Sequence, residues 1–247
     1  MMYENKEIKK ILEQVIALEK AIKYIYESDT SNVWRFSGFN TFVTKYNLLA
    51  KKTATITKDD GFILIFDEEK IGTSYNTLAM TQKNIFDSLL ANVLTLRSLL
   101  ENKINYSESE VENVKNFIQT KLRAAMFEKP EKEKDVQDRL EQLFIGRGYS
   151  KGTEYDREVG RVKVSSKEVV PDFIFPRFSL ALEVKLCKDQ VKFKALIDEI
   201  NADIQSYSKS YDHILFVIYD LGFIRNEIEF KNGLDDGYKV SVVIVKN

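Results

Sequence analysis

One cysteine and one histidine in 247 residues remove much of the usual catalytic chemistry. Cys187 alone can build neither a disulfide framework nor a cysteine-based zinc site, and a chain so poor in cysteine suits a reducing compartment. His213 alone excludes multi-histidine zinc centres and histidine-rich phosphohydrolase sites within one copy. It stands at the entrance of the apolar run Ile214-Leu215-Phe216-Val217-Ile218, where a structural role is expected. A surplus of either charge is also missing. The net charge is −1, so the chain as a whole offers no general attraction for a polyanion. No apolar run approaches the ~18 residues needed to cross a bilayer. Met1 to Lys10 is charged and lacks the apolar stretch of a secretory leader. The expectation is a soluble, cytoplasmic protein with no membrane partner, whose chemistry rests on carboxylates and lysine.

The apolar pattern divides the chain in two. Ile8, Ile11, Leu12, Val15, Leu18, Ile22 and Ile25 follow a 3-4 spacing, which predicts an amphipathic helix over residues 5–27. Residues 39–51 read as a short helix. Phe62 to Phe66 reads as a short strand or a buried turn of helix. Ile85, Leu89, Val93, Leu96, Leu99 and Leu100 predict a helix over 81–102. Ser107 with Glu110 forms a capping box that predicts a new helix over about 108–127. The charged stretch Glu128 to Asp135, which holds Pro130, marks the expected boundary, giving a helical domain 1–128 and a second domain 129–247.

The second half is predicted as helix 133–145, a strand over 154–164 bent at Gly160, two further strands, helix 190–208, strand 213–219, a short helix and strand 239–245. The two middle strands carry the chemistry. One is Val169-Val170-Pro171-Asp172-Phe173-Ile174-Phe175; the other is Leu180-Ala181-Leu182-Glu183-Val184-Lys185-Leu186. Alternation puts Leu182, Val184 and Leu186 on one face, and Glu183, Lys185 and Cys187 on the other. Charges inside an apolar strand are costly unless paired, metal-bound or functional. Asp172 and Glu183 are placed to hold one hard cation with Lys185 beside it, a constellation suited to metal-assisted phosphodiester hydrolysis.

This order of elements and residues resembles the PD-(D/E)XK nuclease superfamily. Pro171-Asp172 matches its first element and Glu183-Val184-Lys185 its second. Over about 129–247 the chain looks like restriction-enzyme domains of the DpnII/MboI group. The resemblance implies an α/β (α+β) fold: a helical N-terminal domain, then a restriction-endonuclease-like core with a central mixed β-sheet flanked by helices. It implies that Asp172, Glu183 and the Val184 carbonyl hold Mg²⁺, or Mn²⁺ in its place. Lys185 would orient or deprotonate the attacking water and stabilise charge on the phosphate. An acid from the first core helix is expected to join them: Glu141, with Asp138 and Glu133 behind it. The RecB-like branch carries Gln-x-x-x-Tyr on the next helix. Here Asp203 stands four residues before Tyr207 and Gln205 is out of register.

The implied function is a Mg²⁺-dependent endonuclease of double-stranded DNA in restriction or other antiviral defence. It would act as a homodimer, because cutting both strands favours two sites about a two-fold axis. The alternatives are an inactive nuclease-fold module that binds nucleic acid or protein, and an RNA-directed nuclease effector. Lys188, Lys192 and Lys194 are the basic residues nearest the motif. Residues 129–247 nevertheless carry 20 basic and 21 acidic side chains, without the usual basic footprint of a DNA-binding domain.

Overall fold

The computed structural model describes residues 4–28, 30–58, 61–73, 75–164 and 167–247. Its helices are α1 (Glu4–Glu27), α2 (Phe39–Thr57), α3 (Glu68–Ile71), α4 (Ala79–Ala125), α5 (Glu133–Gly146), α6 (Gln190–Tyr207) and α7 (Glu227–Lys231). Its strands are β1 (Asp156–Arg157), β2 (Val162–Val164), β3 (Lys167–Val169), β4 (Phe173–Phe175), β5 (Leu180–Cys187), β6 (His213–Asp220) and β7 (Val240–Lys246). The architecture is mixed α/β, with a helical N-terminal region followed by a sheet flanked by helices. No helix of the described residues is long and apolar enough to cross a membrane.

The chain forms two compact units, Glu4–Tyr106 and Ser107–Asn247. They divide inside α4 rather than at the charged stretch around Pro130. The two helices expected over 81–102 and 108–127 are one helix of 47 residues. Ser107 does not cap it. Ser107 is buried in mid-helix and donates its hydroxyl to the Phe178 carbonyl at 3.2 Å. Leu96, Leu100, Ile104, Ser107, Val111, Val114, Ile118 and Leu122 keep one 3-4 spacing throughout, so Ser107 simply occupies a slot of the buried stripe.

The first unit buries the predicted stripe of α1 (Ile8, Ile11, Val15, Leu18, Ile22) against Phe39, Val43 and Tyr46 of α2 and Phe86, Leu89 and Val93 of α4. Helix α2 runs six residues past its expected end. Residues 63–67 are neither strand nor helix.

In the second unit a five-stranded sheet has the order β1-β4-β5-β6-β7. β4 is antiparallel to β1 and to β5, while β5, β6 and β7 are parallel. The β5-α6-β6 crossover explains the near-continuous apolar run of β6, since a central parallel strand is covered on both faces. One face carries Leu182, Val184, Leu215, Val217 and Val243 against Val114, Ile118 and Leu122 of α4 and Val136, Leu140 and Phe144 of α5. The other carries Ala181, Phe216 and Ile218 against Leu196 and Ile200 of α6. Ile197, expected to face inward, is exposed. The strand expected over 154–164 is broken at Gly160 into β1 and β2. Gly160 has φ +87, and a Cβ there would collide with the Tyr211 hydroxyl, which donates to the Gly160 carbonyl at 3.0 Å.

Candidate active site

Pro171 determines how the site opens. β4 pairs with β5 up to Phe173↔Leu182. Two residues further, that register would set Pro171 opposite Val184. Proline has no N–H to donate, so the ladder stops there. The Asp172 carboxylate takes over: its Oδ2 accepts the Val184 N–H at 2.7 Å. In an extended strand the N–H and C=O of one residue point to the same side, so the Val184 carbonyl lies along this open edge beside Asp172. The next N–H on that side, Leu186, donates to Glu133 Oε1 of α5 at 3.4 Å.

The other face of β5 carries the charges, both buried, towards α6. Lys185 Nζ lies 3.0 Å from Glu183 Oε1 and 2.8 Å from Asp203 Oδ2. Tyr207, one helical turn after Asp203, donates its hydroxyl to Glu183 Oε2 at 2.8 Å. The Asp172 N–H approaches the same oxygen at 3.4 Å. Gln137 of α5 donates to Asp172 Oδ1 at 2.8 Å. Asp172, Glu183 and Lys185 are thus one cluster, as the sequence implied, and Glu133, Gln137, Asp203 and Tyr207 surround it.

Helix α5 contributes different residues from those expected. Glu141 accepts Arg157 Nη1 at 2.6 Å and Lys151 Nζ at 3.0 Å, and Asp138 pairs with Arg157 at 2.7 Å. These acids neutralise the half-buried Arg157 guanidinium of β1. They are linked to Asp172 through Arg157 Nη2, which donates to Gln137 Oε1 at 3.2 Å. Gln137 and Glu133 lie on the same helical stripe one and two turns earlier, where the helix start meets the open edge of β5. Glu133, placed third among the α5 acids by sequence, is therefore the one that reaches the edge. Gln137 was missed because a neutral amide carries no charge signal. Tyr207 was visible only as the partner of Asp203 at a spacing of four.

The remaining candidates are structural. His213 is buried, with Nδ1 3.3 Å from the Tyr238 carbonyl. Cys187 packs in the core, and burial together with Asp220 pushes its thiol up to about 12, so it is no nucleophile. Lys188 donates to the Glu131 carbonyl at 3.2 Å, and Lys192 is paired with Glu199 and Glu133.

The electrostatics are those of a site with too much negative charge. Burial raises Asp172 to about 6, assisted by Glu133 and opposed by the Val184 N–H and Lys185. Burial and then the Asp172 charge raise Glu183 to about 7. Burial pulls Lys185 down, but Glu183 and Asp203 outweigh it, so Lys185 sits above its ordinary value and stays a cation. Tyr207 is raised by burial and by Glu183 and remains a proton donor. Buried carboxylates held this high favour an added cation. The donor set is all oxygen, which fits a hard divalent ion such as Mg²⁺ or Mn²⁺. Three of the four oxygens of Asp172 and Glu183 accept a single hydrogen bond and retain a lone pair. Among the described residues no group of three or more histidine, cysteine or acidic side chains forms a metal cage. The two carboxylates, the Val184 carbonyl and water are what such an ion would have here.

A pH dependence follows. Both carboxyls have folded-state values raised above their ordinary ones, so between about 4 and about 7 the folded protein binds more protons than the unfolded chain. Stability contributed by this pair therefore falls as pH rises through that window. In EDTA, raising pH from 4.5 to 7.5 should lower the melting temperature of the wild type relative to Asp172→Asn/Glu183→Gln, by on the order of 5 °C. Parallel pH profiles for the two proteins would contradict the placement of the pair.

Residues 128–247, just under half of the chain, match the family model described as REase_DpnII-MboI, a match consistent with a restriction-endonuclease-like PD-(D/E)XK domain. No curated protein and no solved structure matches the chain.

Proposed function

We propose that this chain, whose residues 128–247 belong to the DpnII-MboI restriction endonuclease family, hydrolyses phosphodiester bonds of double-stranded DNA with Mg²⁺ held by Asp172 and Glu183. Restriction or another form of defence against foreign DNA is the role that this family suggests. The observation that carries the reading is Lys185, a cation buried in a strand and clamped between Glu183 and Asp203 at 3.0 and 2.8 Å. A domain used only as a scaffold has no need of three buried charges.

The bound ion would act as a Lewis acid on the phosphate and would acidify a water molecule. The chain's own residues do the rest. Asp172 and Glu183 fix the site of attack along the open edge of β5. Tyr207 holds Glu183 by donating to Oε2, and Gln137 holds Asp172 through Oδ1. Lys185, kept protonated by its two acids, serves as a donor: it orients the attacking water and stabilises the charge that develops on a non-bridging phosphate oxygen. It does not serve as the base. The new P–O bond forms from water and the P–O3′ bond breaks, leaving a 5′-phosphate and a 3′-hydroxyl.

Titration calorimetry with Mg²⁺ tests the metal assignment apart from cleavage. Asp172→Asn and Glu183→Gln should each weaken binding at least tenfold, the scale expected for losing one of two charged ligands. Glu141→Gln should leave it unchanged. Equal loss in all three variants would refute the ligand set.

A further inference from the structure

Arg157 of β1 is the cross-strand partner of Phe173, the residue after Asp172. Paired residues share a face of the sheet, so the Arg157 side chain runs with Phe173 towards α5, its guanidinium carbon 5.6 Å from the ring centre. There the guanidinium meets three acceptors on one helix. Nη1 donates to Glu141 at 2.6 Å, and Nη2 meets Asp138 at 2.7 Å and Gln137 Oε1 at 3.2 Å. Two acids already exceed one positive charge. Gln137 is not needed to neutralise Arg157, so its place in the group has another reason.

That reason lies at the other end of the same amide, where Nε2 donates to Asp172 Oδ1 at 2.8 Å. A glutamine amide has nearly the same shape either way round, but one end donates and the other accepts. Only one orientation suits Asp172. Turned over, the amide would set its oxygen against a buried carboxylate. Arginine carries donors and no acceptor, so it can face only the amide oxygen. By holding Oε1 it keeps Nε2 on Asp172. The spacer matters as well. A guanidinium set directly on Asp172 could claim both carboxylate oxygens in a bidentate pair and cancel the charge that a cation needs. Across an amide it polarises the N–H towards Asp172 and leaves the carboxylate charge in place.

We propose that Arg157 is a positioning residue for Asp172: it fixes the direction of the Gln137 amide, and so presents Asp172 to a divalent cation as an oriented, still ionised ligand. Asp138 and Glu141 serve the site by holding Arg157, not by touching the ion. The proposal rests on the reading of Asp172 as a metal ligand.

Two measurements on the full chain test it. Arg157→Ala would strand two acids, so the informative change is Arg157→Lys. It keeps a cation for Glu141 and Asp138 but lacks the planar fork that also reaches Gln137. The first measurement is heteronuclear NMR of side-chain amides without metal. The wild type should show one amide pair displaced from the solvent-exposed position by its bond to a carboxylate. Gln137→Leu, in which that pair vanishes, identifies it. Arg157→Lys should return the pair to the exposed position, while Glu141→Gln, which keeps the arginine, should not. The second is titration calorimetry with Mg²⁺. Gln137→Leu and Arg157→Lys should each weaken binding about tenfold, the scale of losing a group that orients a metal ligand. The double variant should lose no more than either single one, because both act through one hydrogen bond. Thermal melting should show all three variants folded. Gln137 signals that Arg157→Lys leaves unmoved, or losses that multiply in the double variant, would overturn the proposal. A wild type that binds no Mg²⁺ would instead overturn the metal reading and with it the purpose of the arrangement, a failure distinct from unmoved amide signals.

Discussion

Lys185→Ala should lower the single-turnover rate of DNA cleavage by at least ~10³-fold, the scale of losing a donor aimed at developing phosphate charge. It should also destabilise the domain. Lys185 lies between Glu183 and Asp203, and removing one member of a buried ionic cluster costs about 3–5 kcal/mol because the others are left uncompensated. Sequence reasoning leads one to expect an inert substitution in stability terms, since nothing marks Asp203 as the second partner. The two effects separate with one further change. Lys185→Ala/Asp203→Asn removes an acid along with the cation, so its melting temperature should recover most of the loss while cleavage stays absent. Mg²⁺ should stabilise Lys185→Ala more than the wild type, because the ion would supply the positive charge that the carboxylates lost. Cleavage restored in the stable double variant would show that Lys185 serves the fold alone.

Truncation gives the second large effect. A fragment beginning at residue 129 keeps all but the first residue of the family match yet should be insoluble. Val111, Val114, Ile118 and Leu122 of α4 are buried on the sheet face formed by Leu182, Val184, Leu215 and Val217. Removing four such side chains forfeits roughly 1.5–3 kcal/mol each. That total rivals the 5–15 kcal/mol by which a typical domain is stable. Two further ties are lost: the Ser107 hydroxyl to the Phe178 carbonyl at 3.2 Å, and Arg147 to the Asn113 carbonyl at 3.1 Å. A fragment of residues 107–247 retains all of these and should fold cooperatively. Expression, sedimentation and thermal melting of the two fragments side by side decide the matter. A folded 129–247 fragment would mean that α4 is dispensable to the sheet.

The same residues show what could be read from sequence and what could not. The motif strands, the face shared by Glu183 and Lys185, and the crossover to β6 were legible because strand alternation is local and strict. Helix α4 was misread because a serine three residues before a glutamate fits a cap signature as well as it fits a slot in a buried stripe. Only the Phe178 carbonyl, 71 residues away, decides between them. Glu141 was preferred to Glu133 because a helix face shows which acids align, not which end of the helix meets the site. Arg157, more than ten residues further along the chain, claims Glu141 and leaves Glu133 to the edge of β5. The mismatch with Gln-x-x-x-Tyr hid a register that reaches the cluster: Asp203 lies against Lys185 and Tyr207 donates to Glu183. The missing basic footprint also has a physical reading. Lys185 and Lys192 are already paired with acids, and Lys188 is bonded to the Glu131 carbonyl, which leaves them little free charge for a phosphate backbone.

The central claim is that Asp172, Glu183 and Lys185 form a divalent-metal-dependent nuclease site. Its most direct test is incubation of the purified chain with supercoiled plasmid DNA in Mg²⁺, with parallel reactions in EDTA and with Glu183→Gln. Nicked and linear products that appear with Mg²⁺, vanish in EDTA and are absent with Glu183→Gln are the predicted result. Cleavage that persists in EDTA, or that Glu183→Gln performs as well as the wild type, would contradict it.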